Sequence, residues 1–388
     1  MRNRHRIPWT WILPLLLATA SLALSAQTLT TLHSFSGADG SGPQAALVLA
    51  RNGNLYGSTS GGGANRSDTV FEITTNGTLT TLHNFNQFIL PDGNDPMGAM
   101  IQAADGNLYG TTVKGGVGRF GSVYRIAPDG SFRMVLSLNY TPLGAIPYAG
   151  LTAGVGGLLY GTATHGGING SGTIYAVTPF GQAIKLHDFG GEGAAEPEAG
   201  LVLGNDGNFY GTTFNGGSFG CGIVYRVTPG GNVTALHSFG GQGDGGCQPY
   251  AAMGKGSDGN FYGTTSMGGA PNGANAGLVY RITPSGVYTV LHVFNRTDGT
   301  SPFGALLLSS DGNFYGTTVA GGSQNAGTIF KMTPGGTLTT LYNFCSQTNC
   351  TDGAAPYAGL VQDSHGTFYG TTFAGGGSND GTVFSFER

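Results

Sequence analysis

Hydrophobic and polar positions along this chain follow a period of two rather than 3.6. In "TIFKMT" (Thr328 to Thr333) and "TLTTLYNF" (Thr337 to Phe344), β-branched and aromatic residues alternate with polar ones over six to eight positions. That pattern predicts half-buried strands, because successive side chains of a strand point to opposite faces. No amphipathic helical period stands out. The strand-like runs are separated by "DGN" (Asp311 to Asn313), "VAGGSQNAG" and "PGG". The Asp-Gly and Pro-Gly connections predict tight hairpins, since glycine reaches positive φ without steric cost.

These elements recur. The tyrosine of "NLYGTT" and its variants falls at Tyr56, Tyr109, Tyr160, Tyr210, Tyr262, Tyr315 and Tyr369, a mean spacing of about 52 residues, in the range of propeller blades. Each unit reads as four strands. They are a ("YAGLV", Tyr357 to Val361), b ("FYGTT", Phe314 to Thr318), c ("TIFKMT") and d ("TLTTLYNF"). The last unit, ending in "GTVFSFER", supplies a, b and c without d, while an orphan d strand, "TLTTLHSF" (Thr28 to Phe35), stands at the start. The prediction is an all-β, seven-bladed β-propeller, closed by pairing the N-terminal strand d with the last blade, so that no sheet edge is left open. Residues 27–388 then form one domain and the molecule is expected to be a monomer.

Residues 1–26 precede the repeats. Arg2, Arg4 and Arg6 open a basic segment followed by "WILPLLLATASLAL" and "ALSAQ", which reads as a signal peptide cleaved after Ser25 or Ala26. Its removal takes three of the sixteen Lys and Arg and none of the twenty Asp and Glu, leaving a mature net charge of −7, and it takes both tryptophans, Trp9 and Trp11. A mildly acidic surface without a basic run argues against nucleic acid as a partner. Only 9% of residues are charged and 73 of 388 are glycine, a composition suited to tight turns and Thr-rich strands. A secreted or periplasmic location in a bacterium is expected, with no membrane span after cleavage.

Seven tyrosines, their following glycines, and the d-strand histidines (His33, His83, His187, His237, His292) recur once per blade and cannot converge on one ligand. They read as packing with hydrogen-bonded polar tips. Strand direction puts the long b–c and d–a loops on one face, the usual place for binding on a rigid scaffold. All four cysteines fall there. Cys221 with Cys247, and Cys345 with Cys350, are expected to form two disulfides, since the thiols lie too far apart in the ring for one zinc site. The d–a loops carry Asp39, Asp92, Glu192, Asp244, Asp298 and Asp352. No loop gathers several carboxylates at a calcium-loop spacing, so these acids read as turn caps. No cofactor or metal is expected.

After the proline of each d–a loop comes the first residue of the innermost strand: Gln44, Met97, Tyr148, Glu198, Tyr250, Phe303 and Tyr357. These would circle the channel mouth on the long-loop face, where aromatic faces can stack on sugar rings. The plainer reading has them plugging the channel or wedged between blades. One b–c loop position runs Gly61, Lys114, His165, Asn215, Met267, Ala320, Ala374. Tyr148, Glu198, Tyr250, Phe303 and Tyr357, with His165 and Lys114, are the candidate ligand-binding residues. No G-x-S-x-G, H-E-x-x-H or P-loop is present, and no catalytic residue is assigned. The expected role is binding of a polysaccharide or a surface protein. The alternative is a carbohydrate-active hydrolase or lyase with Glu198, His165 and a neighbouring tyrosine near the channel mouth.

The repeat unit "DGNFYGTTVAGGSQNAGTIFKMTPGG" (Asp311 to Gly336) resembles that of the choice-of-anchor tandem repeat GloVer-containing bacterial proteins, and the resemblance runs through all seven units. It implies a cell-surface or secreted bacterial repeat protein and no defined reaction. Members typically carry a C-terminal sorting signal. Here Arg388 directly follows the last strand, so free secretion or a periplasmic home is expected rather than anchoring.

Overall fold

The computed structural model describes residues 27–89, 91–191, 193–241, 245–269 and 275–388. The expected signal peptide, Glu192 and Asp244 lie outside them. Seven four-stranded antiparallel sheets form the ring. In blade one the strands are Val48–Leu49, Leu55–Thr59, Thr69–Ile73 and Leu79–Asn84. In blade seven, Val361–Gln362, Phe368–Thr372 and Thr382–Glu387 come from the C-terminus, and Thr28–Ser34 completes the sheet as its outermost strand. Thr28 stands opposite Glu387, Leu29 opposite Phe386 and Ser34 opposite Thr382. The ring is closed by the strand that the sequence pattern singles out.

Packing gives the same picture. Seven hydrophobic clusters each fill one junction between neighbouring blades. The junction of blades seven and one, with Phe35, Leu47, Phe71, Tyr369 and Val383, is built like the other six. All seven tyrosines of the "YGTT" column sit in these clusters, and six of them have their hydroxyls bound. In five blades the aspartate of the preceding a–b turn accepts the phenol at between 2.7 and 3.1 Å, and in blade one Glu72 accepts it at 2.7 Å. The next residue is glycine because the ring on strand c covers it. A Cβ on Gly316 would lie 2.6 Å from Cζ of Phe330, and one on Gly110 would lie 2.4 Å from Tyr124. In five blades the following hydroxyl reaches across to a carbonyl of the next blade. Thr111 donates to the Ala149 carbonyl at 2.9 Å and Thr317 to that of Ala358 at 2.7 Å.

Three of the d-strand histidines prove to be partners of the loop aspartates. His33 meets Asp39 at 2.8 Å, His83 meets Asp92 at 3.2 Å and His292 meets Asp298 at 2.9 Å. In blade six Tyr342 replaces the histidine and donates to Asp352 at 2.7 Å. Each of these carboxylates also accepts a backbone N–H of its own loop, from Ser36, Asn86, Asn295 and Ser346. They are turn caps. Strand a is shorter than the sequence pattern suggests, only two residues in each blade. The inner segments crowd the axis too closely for a regular ladder. A Cβ on Gly359 would lie 2.6 Å from the Ala305 carbonyl, and one on Gly150 would lie 2.0 Å from that of Ala99.

Candidate functional site

The long b–c and d–a loops are tied to each other in every blade. Gly93–Asn94 pairs with Lys114–Gly115, Ala194–Ala195 with Asn215–Gly216 and Gly246–Cys247 with Met267–Gly268. Single bridges join Ser41 to Gly61, Ala145 to His165, Thr300 to Ala320 and Ala354 to Ala374. The variable b–c position noted in the sequence is therefore the pairing position of this small rim ribbon. Both disulfides reinforce the same face, Cys221–Cys247 linking a b–c loop to the next d–a loop and Cys345–Cys350 closing one d–a loop.

Beyond the ribbon each chain segment turns inward through one residue at positive φ. Gly42, Asp95, Ile146, Glu196, Gln248, Ser301 and Ala355 all have φ between 54° and 62°, and each precedes a proline. Left-handed geometry is unfavourable for the six that are not glycine, above all for β-branched Ile146. Hydrogen bonds on both sides hold it. Glu196 donates its N–H to the Ser171 carbonyl at 3.0 Å, and its own carbonyl accepts from Phe214 at 2.8 Å. The turn aims the residue after the proline at the axis.

Those residues, Gln44, Met97, Tyr148, Glu198, Tyr250, Phe303 and Tyr357, line one cavity of about 330 Å³ at the channel mouth. Small residues of the inner segments, such as Ala99, Ala252 and Ala358, make much of the remaining wall. Phe214, Tyr250, Phe303, Tyr357 and Phe373 form a continuous arc of rings. Centroids are 6.4, 5.0, 5.6 and 5.4 Å apart in that order, with Phe303 and Tyr357 stacked and the other pairs edge to face. On the remaining side Gln44 donates to the Ser60 hydroxyl at 3.1 Å. The aromatic residues thus contact their ring neighbours and still leave an open mouth.

Glu198 stands between Tyr148 and Tyr250 in ring order. Burial pushes its carboxyl up to about 7, and the nearby Glu196 charge adds to this. Burial first, then the Glu198 charge, raises the phenols of Tyr148 and Tyr250 as well. Glu196 is held by the Asn215 amide at 2.5 Å and does not line the cavity. Neither His165 nor Lys114 lines it. His165 Nδ1 lies 3.1 Å from the Thr164 carbonyl, and Lys114 pairs with Asp95 at 2.6 Å.

One polar group on this face escapes the sequence reading. Asp68 stands where Gly121, Gly172, Gly222, Gly277, Gly327 and Gly381 stand in the other blades. Its carboxylate is buried, accepting from the Asp95 N–H at 2.9 Å and the Asn94 amide at 2.7 Å. It takes the place of the carbonyl that serves the corresponding N–H elsewhere. Burial pushes it up to about 6, with the Asp95 charge adding and the Asp95 N–H bond opposing. The signal was a break in the glycine column, one position removed from the columns followed above.

The fold recurs in solved structures at low identity. Virginiamycin B lyase from Staphylococcus aureus superposes with a TM-score of 0.63 at 16% identity, covering 93% of this chain and 99% of that one. A streptogramin B lyase gives 0.63 at 16%, covering 93% and 97%. The extracellular domain of BT3049 from B. thetaiotaomicron gives 0.60 at 14%, covering 93% and 41%. At these identities the likeness is one of fold. No curated protein matches the chain in sequence. The Gloeobacter/Verrucomicrobia repeat, in contrast, matches it twice, over residues 19–205 and 197–388. With these two matches spanning nearly its whole length, the chain belongs to the Gloeobacter/Verrucomicrobia repeat family.

Proposed function

We propose that this protein is an extracytoplasmic binding module that engages a polysaccharide or a surface protein through its long-loop face. The observation that carries the reading is the cavity at the centre of that face, walled by the residues that vary from blade to blade while the scaffold beneath them repeats. The surrounding loops add exposed apolar side chains, among them Phe88, Ile89, Val117, Ile168 and Phe219, each more than half exposed. Exposed apolar groups around a cavity suit an interaction surface. The two disulfides suit an oxidising compartment. Among the described residues, no helix is long and apolar enough to cross a membrane.

The geometry favours binding over hydrolysis. Glycoside hydrolysis ordinarily uses two carboxylates flanking the bond, and among the described residues the cavity wall contributes Glu198 alone. A glycan array and a cell-surface pull-down with the mature protein test the proposal, with Tyr250→Ala and Tyr357→Ala as controls. A ligand retained by the native protein and lost by both variants supports it. Ligands bound equally by all three proteins would place the site elsewhere.

A further inference from the structure

The cavity wall has a chemical bias of its own. Among the described residues its lining includes a single charged side chain, the Glu198 carboxylate, with four aromatic rings close by and a wall otherwise rich in alanine and glycine. An anion would meet that carboxylate with no cation to offset it, because Lys114 is already paired with Asp95 outside the cavity. A neutral sugar wants several converging donors and acceptors, whereas the wall's side chains offer few beyond Gln44, Thr152, Glu198 and the phenols. A positive charge suits both halves of the site. It would offset a carboxylate that burial otherwise penalises, and aromatic faces attract cations, most strongly in a partly desolvated pocket.

We infer that the channel mouth takes the positively charged head of an organic ammonium compound, held by the Glu198 carboxylate and the rings of Tyr148, Tyr250, Phe303 and Tyr357. The inference rests on the mouth being the binding site proposed above. The shared chemistry is an alkylammonium group. It could come from a quaternary amine, an amino sugar or a lysine side chain. The acidic surface favours approach of such a ligand.

Binding should depend on pH through Glu198. Its neighbours are the Tyr148 and Tyr250 phenols, which burial holds protonated across the neutral range, the Tyr357 ring, Glu196, and on the rim Lys114, Asp95 and Asp68. With the Glu198 carboxyl near 7, roughly a tenth of it is ionised at about pH 6, so a cation should bind about tenfold more weakly there than at about pH 8.

The test is calorimetric titration of the mature protein with choline, glucosamine and Nα-acetyl-lysine amide, each at up to millimolar concentration. The neutral choline isostere 3,3-dimethylbutanol is run beside them. We expect at least one cation to bind at least tenfold more tightly than the isostere. Choline or Nα-acetyl-lysine amide, whose charge persists at about pH 8, should bind about tenfold more tightly there than at about pH 6, whereas glucosamine, whose amine loses its proton in that window, is compared at about pH 7. Which of the three binds identifies the source. In Glu198→Gln the affinity should fall about tenfold or more and the pH dependence should vanish, with unchanged melting as the control for folding. Tyr357→Ala provides a second variant, expected to weaken the cation without removing the pH dependence.

Equal affinity for choline and its isostere, no binding by any of the three cations, or a Glu198→Gln protein that binds like the native one would overturn the inference. A neutral oligosaccharide bound in a Tyr250-dependent way, with no cation bound, would sink the ammonium assignment and leave the mouth as the binding site. Ligands indifferent to Tyr250 and Tyr357 would remove both.

Discussion

Replacing Phe35 with alanine tests the closure of the ring by a single side chain. Phe35 lies eight residues into the described chain, where a free terminus would fray and a substitution would cost little. Yet it is fully buried, its ring 5.3 Å from Phe71 and its N–H bonded to the Gly381 carbonyl at 3.0 Å. Phe344, at the same place in blade six, has its ring 5.3 Å from Phe384 and its N–H bonded to the Gly327 carbonyl at 3.0 Å. Truncating a buried phenylalanine costs about 3–5 kcal/mol. An unfolding entropy of about 2.1 cal/mol/K per residue gives roughly 0.74 kcal/mol/K for the described chain, so the midpoint should fall by about 4–7 °C. Scanning calorimetry and urea denaturation of Phe35→Ala and Phe344→Ala should give equal losses within about 1 kcal/mol. A Phe35→Ala protein that melts within about 1 °C of the native one would refute closure by that strand.

Three further outcomes follow from the packing and the charges. Gly316→Ala brings a Cβ to 2.6 Å from Phe330 and should destabilise by about 1–3 kcal/mol through overpacking in urea melts. Gly200, whose Cβ would meet nothing closer than 3.6 Å, should tolerate alanine much better. Serine at both Cys221 and Cys247 removes a link across 26 residues and should cost about 3–4 kcal/mol by loop entropy. Loss of Cys345–Cys350, across 5 residues, should cost about 2 kcal/mol. Asp68 binds its proton more tightly folded than unfolded, so its contribution to stability is full below pH 3.8 and is lost as pH rises through about 6. Asp68→Asn should therefore flatten the fall in stability over that window in a pH series of melts, and an unchanged pH profile would contradict the assignment.

Much of this architecture was legible because it repeats. The spacing of the "YGTT" tyrosines carried the blade count, and the orphan "TLTTLHSF" carried the closure. Position after the proline was enough to place Glu198 and the aromatic residues in one ring. What pattern alone did not convey were contacts between columns of the repeat. The d-strand histidines and the d–a loop aspartates each looked like separate structural features, yet His33, His83 and His292 are hydrogen-bond partners of Asp39, Asp92 and Asp298, brought together because strand d runs directly into that loop. His165 and Lys114 looked like site candidates because they vary. Their position is the bridge of a rim ribbon, and its pairing holds them away from the mouth. Asp68 was missed since its signal was a single absent glycine. The short inner strands were also hidden, because "YAGLV" has good strand residues and only the crowding at the axis breaks the ladder.

The measurement that bears most directly on the channel mouth as the binding site is a parallel binding screen. The native protein and a Tyr250→Ala/Tyr357→Ala double variant would be titrated with oligosaccharides and organic ammonium compounds, with melting curves recorded for both. At least one ligand should bind the native protein and bind the variant at least tenfold more weakly while the fold stays intact. Equal affinity of both proteins for every ligand would contradict the account.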